Sequence, residues 1–498
     1  MGDRDRSTVV PVRSALIAAL AIVVAATLAG CGGSAIDAKT AARAQAAARA
    51  QTSGNGQAAG NDGTGTVPGA TNDPAATTGD TASNGNVPAG TGATGSTGGS
   101  STGSSSTGGG SGTPPAGVKP AVSCTGLKNG NGITSDTIRI GNSSDITGPV
   151  PGLFTQAQQA TRAYVNYFNS TGARICGRKL ALDLYDSRTD AGADQQQYSK
   201  GCATDFAMVG SMSSFDSGGA KTAQDCGIPD IRAISTTNER AACSTCFGAQ
   251  PAGPEAFENA VPDFIKRQTG GQKAAMLYIN IGAAAANGMS QAKHEAERGL
   301  KFVVTKGIDV AEFNYAPYVT QMKAAGVTSV QFIAASPQFA RMAQAMDQGD
   351  FHPKVYLLDP SAYNDEYPKL AGSSAKGTDV FLNFVPFEEA STNREMRLYL
   401  QYLQQASPGA KPGFFGVFAW SATRLFVQEA QRLGGSLTRQ SLVSAMRKVD
   451  SWTSNGIHAP EHVGSKKIAD CWRFIQWSGS AWKPIEGKAY QCRGITSS

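Results

Sequence analysis

The sequence predicts an α/β protein of two doubly wound lobes, carried behind a long leader that does not share the fold. Three observations predict it. From residue 134 onward, short apolar runs alternate with stretches of helical spacing. The alternation runs through two successive sets in roughly 350 residues, enough for two lobes with cores of their own. No Phe, Tyr or Trp occurs before Phe154, so the large core-forming side chains all lie in the later two thirds.

The first set reads as a strand at 137–146, a helix at 153–170 with Ala157, Ala160, Ala163, Tyr164, Tyr167 and Phe168 on one side, and a strand at 179–185. A helix at 193–202, a buried strand at 206–209, a helix at 219–226 and a strand at 228–234 follow. The second set pairs helix 255–268 with strand 274–281, helix 287–298 with strand 302–305, helix 315–325 with strand 329–334, and helix 338–348 with strand 355–358. Strand 380–385 comes next, then helices at 394–405, 415–433 and 437–448. The end has β character at 471–477 and 482–485 around a Ser-Gly-Ser turn. Strands joined through helices favour parallel sheets with right-handed crossovers, and ligands of such sheets bind at the carboxyl ends of the strands.

The leader has its own logic. Residues 1–30 read as an export signal: Arg4, Arg6 and Arg13 precede a nearly continuous apolar run from Ala15 to Leu28, shorter than the roughly 20 residues of a spanning helix. The run ends in Leu28-Ala29-Gly30-Cys31, which resembles the bacterial lipobox, so Cys31 is expected to be acylated and to moor the exported protein to the outer face of the cell membrane. Residues 31–123 are expected to be a disordered tether. From 51 to 118 the chain holds no Lys, Arg or aromatic residue and has nothing to bury against the entropy of ordering.

The 44 basic against 38 acidic residues leave a net charge of only +6, which gives nucleic-acid binding no electrostatic support. Besides Cys31, eight cysteines remain, an even number that suits disulfides outside the cell. Sequence proximity favours Cys124 with Cys176, Cys202 with Cys226, Cys243 with Cys246 and Cys471 with Cys492, one of about 105 possible pairings. Cys243-Ser-Thr-Cys246 has the spacing of a redox motif without its usual surroundings and reads as a loop clip. A catalytic role is not expected. The four histidines, His294, His352, His458 and His462, lie away from the predicted strand-end loops, and no G-x-S-x-G elbow or P-loop occurs. His458-Ala-Pro-Glu-His462 has the i,i+4 spacing of a metal pair but carries a proline inside it, and no metal or cofactor is expected.

Several blocks in order resemble the type I periplasmic binding proteins, in particular the branched-chain-amino-acid-binding-like receptors of ABC importers. They are the run from Ile138 to Pro149 (IRIGNSSDITGP), Ala163 to Asn169 (AYVNYFN), Gly177 to Ser187 (GRKLALDLYDS), Val209 to Ser214 (VGSMSS), Gly227 to Ile231 (GIPDI) and Phe313 to Gly326 (FNYAPYVTQMKAAG). The resemblance covers most of 133–490. It implies two lobes, 133–251 with 386–455 and 252–385 with 456–490, joined by a three-segment hinge. It further implies capture of a small amino-acid-like or carboxylate/amide solute by a monomer that delivers it to an importer permease. An accessory sensor serving a separate signalling partner is the alternative, and in neither case is nucleic acid a partner.

The same resemblance points to the ligand contacts. Ser213 and Ser214, in the loop after the third strand, and Thr236 and Thr237, in the next, are expected to meet a ligand carboxylate near helix N-termini, although such hydroxyls also cap helices. Phe154 is either a pocket wall or core. In lobe two the aromatic usual to amino-acid binders is replaced by Asn287. Asp359 lies about two positions before the place of the family's amine partner, which Ser361 occupies, and Tyr363 is placed to stack on a ligand. A buried ammonium without a paired carboxylate is costly, so a displaced Asp359 argues against a simple α-amino acid.

Overall fold

The computed structural model describes residues 123–271 and 273–497, which belong to one compact unit. The export signal, Cys31 and most of the tether lie outside the described residues.

Lobe one is built on a five-stranded parallel sheet of order β2-β1-β3-β4-β5: β1 (Thr137–Ser144), β2 (Lys179–Asp186), β3 (Ala207–Val209), β4 (Asp230–Ser235) and β5 (Cys246–Pro251). Helix α1 (Thr155–Ser170) buries Ala157, Ala160, Ala163, Tyr164 and Phe168, the stripe its spacing predicts. It packs on the nearly all-buried helix Phe414–Leu433, where Tyr164 meets Trp420 edge-on at 4.7 Å. Lobe two is built on a larger sheet in the order 482–485, 471–477, 378–382, 355–358, 329–333, 273–279, 301–308. It is parallel except for its last two strands, Cys471–Trp477 and Trp482–Ile485. This is the type I periplasmic-binding-protein architecture, two α/β lobes with connected cores.

Four disulfides are present: Cys124–Cys176, Cys202–Cys226, Cys243–Cys246 and Cys471–Cys492. Cys246 is not in a loop, however. It opens β5, which alternating hydrophobicity failed to signal because the strand reads CFGAQP and is buried along its whole length. The expected helix at 255–268 starts late, at Ala260. Residues Ala256–Glu258 instead form a short strand paired antiparallel with Ile495–Ser497 from the far end of the chain, a long-range pairing that local periodicity cannot report.

The chain passes between the sheets three times. The first passage follows β5 and the second follows Leu382. The third comes later than the sequence placed it, because residues after 455 still hold to lobe one. Lys466 Nζ donates to the carbonyl of Ala241 at 2.9 Å, and Gly464 N to that of Val449 at 2.5 Å. The segment reaches the second sheet only at Cys471. Between them, Val385 N meets Ile457 O and Ala459 N meets Asn383 O, so two of the passages run side by side.

Candidate functional site

The loops at the carboxyl ends of the lobe-one strands are held by buried carboxylates. Asp145, just past β1, is fully buried. Its Oδ1 accepts from Ser187 Oγ (2.6 Å), Ser213 Oγ (3.0 Å) and Thr189 N (3.1 Å), and its Oδ2 from Ser214 N (2.8 Å). Burial raises its pKa, and these hydrogen bonds oppose the rise. Asp216 accepts from Thr236 N at 2.9 Å and Thr237 Oγ1 at 2.6 Å. Beneath it, Arg240 pairs with Asp230 at 2.8 Å and Asp194 at 3.1 Å, all with fully buried side chains. A charge so placed is tolerable only when paired and hydrogen-bonded, and the network fixes where the loops at 211–217 and 235–237 can go.

Above these loops lies a cavity of about 360 Å³. Lobe one contributes Phe154, Ser214, Thr236 and Gln250. Lobe two contributes Ala283, Ala284, Asn287, Asp359 and Ser361, and the first passage contributes Phe257 and Glu258. The rest is mostly apolar, with Phe414, Phe415, Phe381 and Trp472 among the walls. Among the described residues no Lys, Arg or His lines it. The lobes meet in more than one place, and Lys411 of lobe one pairs with Asp365 of lobe two at 3.0 Å. Ala283 N, at the start of helix Ala283–Glu297, donates to Ser214 O at 3.0 Å. Gly282 beside it has φ +48°, and a Cβ there would lie 2.4 Å from Ser214 O, so the approach requires glycine.

Five polar atoms around the cavity are buried and have no hydrogen-bond partner: Thr236 Oγ1, Gln250 Oε1, Asn287 Oδ1, Asp359 Oδ2 and Ser361 Oγ. Unmet buried groups are rare and need a reason. Here both lobes supply them to the same space. Asp359 spends Oδ1 on Ser361 N at 2.9 Å, capping a short 3-10 turn (Pro360–Ala362). Burial pushes its pKa up to about 6, against the lowering effect of the Ser361 hydroxyl and the backbone N–H groups of Ser361 and Ala334 beside it.

Six of the nine expected ligand contacts therefore line one cavity: Phe154, Ser214, Thr236, Asn287, Asp359 and Ser361. Phe154 serves both readings at once, since it is 4% exposed with its ring 4.6 Å from that of Phe415. Three are occupied elsewhere. Ser213 is fully buried with its hydroxyl on Asp145. Thr237 caps the helix at Asn238–Ala242 and donates to Asp216. Tyr363 is buried, stacked on Phe387 at 4.9 Å, with its hydroxyl bonded to Glu388 and accepting from Phe387 N at 2.7 Å. The competing capping role won at Thr237, and at both Ser213 and Thr237 a buried carboxylate takes the hydroxyl.

Gln250 and Glu258 escaped the sequence reading, the first on an unrecognised strand and the second on one defined only by its distant partner. The two histidines of the HAPEH run have separate tasks. His458 Nε2 meets Ser421 Oγ at 2.7 Å, and His462 Nδ1 meets Asp450 O at 3.0 Å. Burial lowers the pKa of His458 to about 4. The one group of metal-type donors found among the described residues, Asp470 with Cys471 and Cys492, has both sulfurs in a disulfide.

Several solved structures share the fold at low identity. A branched-chain amino acid ABC transporter protein from Thermus thermophilus with bound valine is 16% identical, with a TM-score of 0.61 over 72% of this chain and 97% of that one. A fatty acid ABC transporter substrate-binding protein from Thermomonospora curvata is 17% identical, with a TM-score of 0.61 over 74% and 95%. A solute-binding protein of an ABC transporter from R. palustris, in complex with 4-hydroxybenzoate, is 15% identical, with a TM-score of 0.58 over 72% and 97%. No curated protein sequence matches the chain. Residues 137–481 match the family model described as periplasmic binding protein, and with two α/β lobes facing a shared cavity the chain belongs to that family.

Proposed function

We propose that this protein is the solute-binding lipoprotein of an ABC importer. It is exported, moored through Cys31, and carries its lobes on the tether. It captures a small amino-acid-like, carboxylate or amide solute between the lobes and hands it to a membrane permease, without chemical change. The observation that carries the reading is the set of five unpartnered polar atoms facing one apolar cavity from both lobes. A solute with an apolar body and polar ends meets those atoms only when the lobes are together, which is the logic of a hinged receptor. The three relatives above are described with valine, fatty acid and 4-hydroxybenzoate, so the architecture accommodates varied solutes and the identity of this one rests on its own lining.

The test is a thermal-shift screen of the purified protein against amino acids, amides and small carboxylates, followed by calorimetry of the best ligand on Ser214→Ala, Asn287→Ala and Ser361→Ala. Loss of a buried hydrogen bond costs about 1–3 kcal/mol, so at least one variant is expected to bind about 5- to 150-fold more weakly. Full affinity in all three removes the cavity from the reading. Co-purification of a permease, or lost uptake on deletion, separates an importer receptor from a sensor.

A further inference from the structure

The reading above leaves one lining residue without a task. Glu258 belongs to the strand Ala256–Glu258, on the first passage between the lobes, and its backbone is fixed there by pairing with Ile495. It is 8% exposed, and among the described residues no side chain of another residue bonds or pairs with its carboxyl group, which has only its own backbone N–H beside it. A carboxyl buried in such a setting without a partner is destabilising unless something meets it.

The groups that face it are themselves acidic. Glu295, on helix Ala283–Glu297, is 1% exposed and accepts from Gln291 Nε2 at 2.8 Å and also from Gln331 Nε2. Glu461, on the segment before the third passage, is fully buried and accepts from Asn383 Nδ2 at 2.7 Å. His294 has its ring 5.6 Å from that of Phe257 and its Nδ1 2.7 Å from Ser290 O. Asp359 and Glu366 are the other carboxyls of the cavity, which no Lys, Arg or His lines. An anionic solute would therefore give up its water shell in a space that offers no compensating cation, and an unpaired charge buried in this way is costly.

We propose that Glu258 is a ligand-binding residue that takes the ammonium or other cationic N–H end of the solute, and that the site selects amines with an apolar body over anions of the same shape. The inference rests on the cavity being the solute site and deepens that reading by naming the ligand's charge. The binding step balances simply. In the empty protein, burial and the nearby Glu295 push the Glu258 pKa up to about 8, so near neutral pH its carboxyl holds a proton. The ammonium arrives already charged, the carboxyl proton leaves to solvent, and an ion pair with N–H···O hydrogen bonds replaces a neutral acid. Binding is thereby linked to release of one proton per solute.

The test uses the full-length protein and matched triples on one body: 2-phenylethylamine, 2-phenylethanol and phenylacetate, with the corresponding cyclohexyl and butyl sets. Calorimetry is run from pH 6 to 9 in two buffers of different ionisation enthalpy, on the wild type and on Glu258→Gln. That variant keeps the shape of the side chain and replaces a buried titrating acid beside Glu295 with a neutral amide, so it should fold at least as well. The expected result is that the amine of a triple binds at least about tenfold more tightly than its alcohol or acid. Its affinity should rise about tenfold per pH unit between 6 and 8, with release of a proton, and E258Q should flatten the rise and erase the preference. Preference for the acid or alcohol, an unchanged pH slope in E258Q, or no binding by any amine overturns the inference. Acid binding that is lost in Asn287→Ala would overturn it while leaving the cavity as the solute site. Absence of binding by every member of every set, with no ligand found in the broader screen, would bring down both.

Discussion

Replacing Asp145 by Asn tests whether the loop that meets the second lobe is held by one carboxylate. Asp145 receives three donors on Oδ1 and a fourth, Ser214 N, on Oδ2 at 2.8 Å. An asparagine amide presents one acceptor and one NH₂, so in either orientation at least one donor faces a donor. The backbone N–H groups of Ser214 and Thr189 cannot turn away as hydroxyls can. One unmet buried donor costs about 1–3 kcal/mol, and relief of the carboxylate's burial returns part of it, leaving about 2 kcal/mol. With an unfolding entropy of about 2.1 cal/mol/K per residue over roughly 370 folded residues, that lowers Tm by about 2–3 °C. The effect reaches further than stability, because the carbonyl of Ser214 accepts from Ala283 N of the other lobe. Hydrogen exchange at Ala283 should quicken in Asp145→Asn, while exchange in the distant strand Val355–Leu358 should not. An unchanged Tm together with unchanged exchange at Ala283 would refute the claim that Asp145 holds this loop.

Other substitutions and conditions probe the same frame. Gly282→Ala places a Cβ 2.4 Å from Ser214 O at a φ of +48°; the lobes should separate there, weakening the best ligand about tenfold or more and raising the radius of gyration in small-angle scattering, and unchanged values would show that this contact does not govern closure. Burial pushes the pKa of Asp359 to about 6, of Glu295 to about 7 and of Glu258 to about 8. Because these values are raised, the stability they favour is complete below the unfolded values near 4 and is lost as pH rises through about 6 to 8, so the urea midpoint at pH 6 should exceed that at pH 8.5, and the reverse order would contradict the burial argument. Buried His458, lowered to about 4, acts oppositely and sets the acid limit, its contribution being lost as pH falls from about 6.5 through 4. Paired Cys→Ser changes should rank by the loop each bridge closes: about 4 kcal/mol for Cys124–Cys176 (separation 52), about 3.5 for Cys202–Cys226 (24) and Cys471–Cys492 (21), and about 2 for Cys243–Cys246 (3), read by denaturant melts, and a largest loss at Cys243–Cys246 would reject the loop-entropy explanation.

Most of the fold was legible because its helices and parallel strands announce themselves locally. Helix Thr155–Ser170 buries the residues that its spacing exposes as a stripe, and strand Lys179–Asp186 begins where the sequence places it. What escaped depends on distant partners. Ala256–Glu258 is a strand only because Ile495–Ser497 lies beside it, and β5 is buried along its length without the β-branched residues that mark a strand. The site divides in the same way. Ser214, Thr236 and Asn287 sit on strand-end loops or helix starts and line the cavity. Ser213 and Thr237 neighbour true lining residues, yet Asp145 and Asp216 take their hydroxyls, and no pattern in the sequence says which of two adjacent hydroxyls will turn inward.

The orphaned atoms also bear on how such a receptor would sense its solute. Buried polar atoms without partners on both sides of the cavity cost about 1 kcal/mol or more each when the lobes are together and nothing meets them. Opening lets water reach them, so without solute the proposed hinge favours an open form. Against this stands modest direct attraction between the lobes, from the Ala283–Ser214 hydrogen bond at about 1 kcal/mol and the exposed Lys411–Asp365 ion pair at about 0–1 kcal/mol. A solute that meets three or four of the orphans removes most of the cost and shifts the balance by several kcal/mol, which is the size of change needed to move a population from mostly open to mostly closed. The unmet atoms are thus the coupling element itself. A variant that removes one of them without opening a hole, such as Asn287→Leu, should close more readily when empty and respond less to solute, whereas a purely adhesive contact would lose both together.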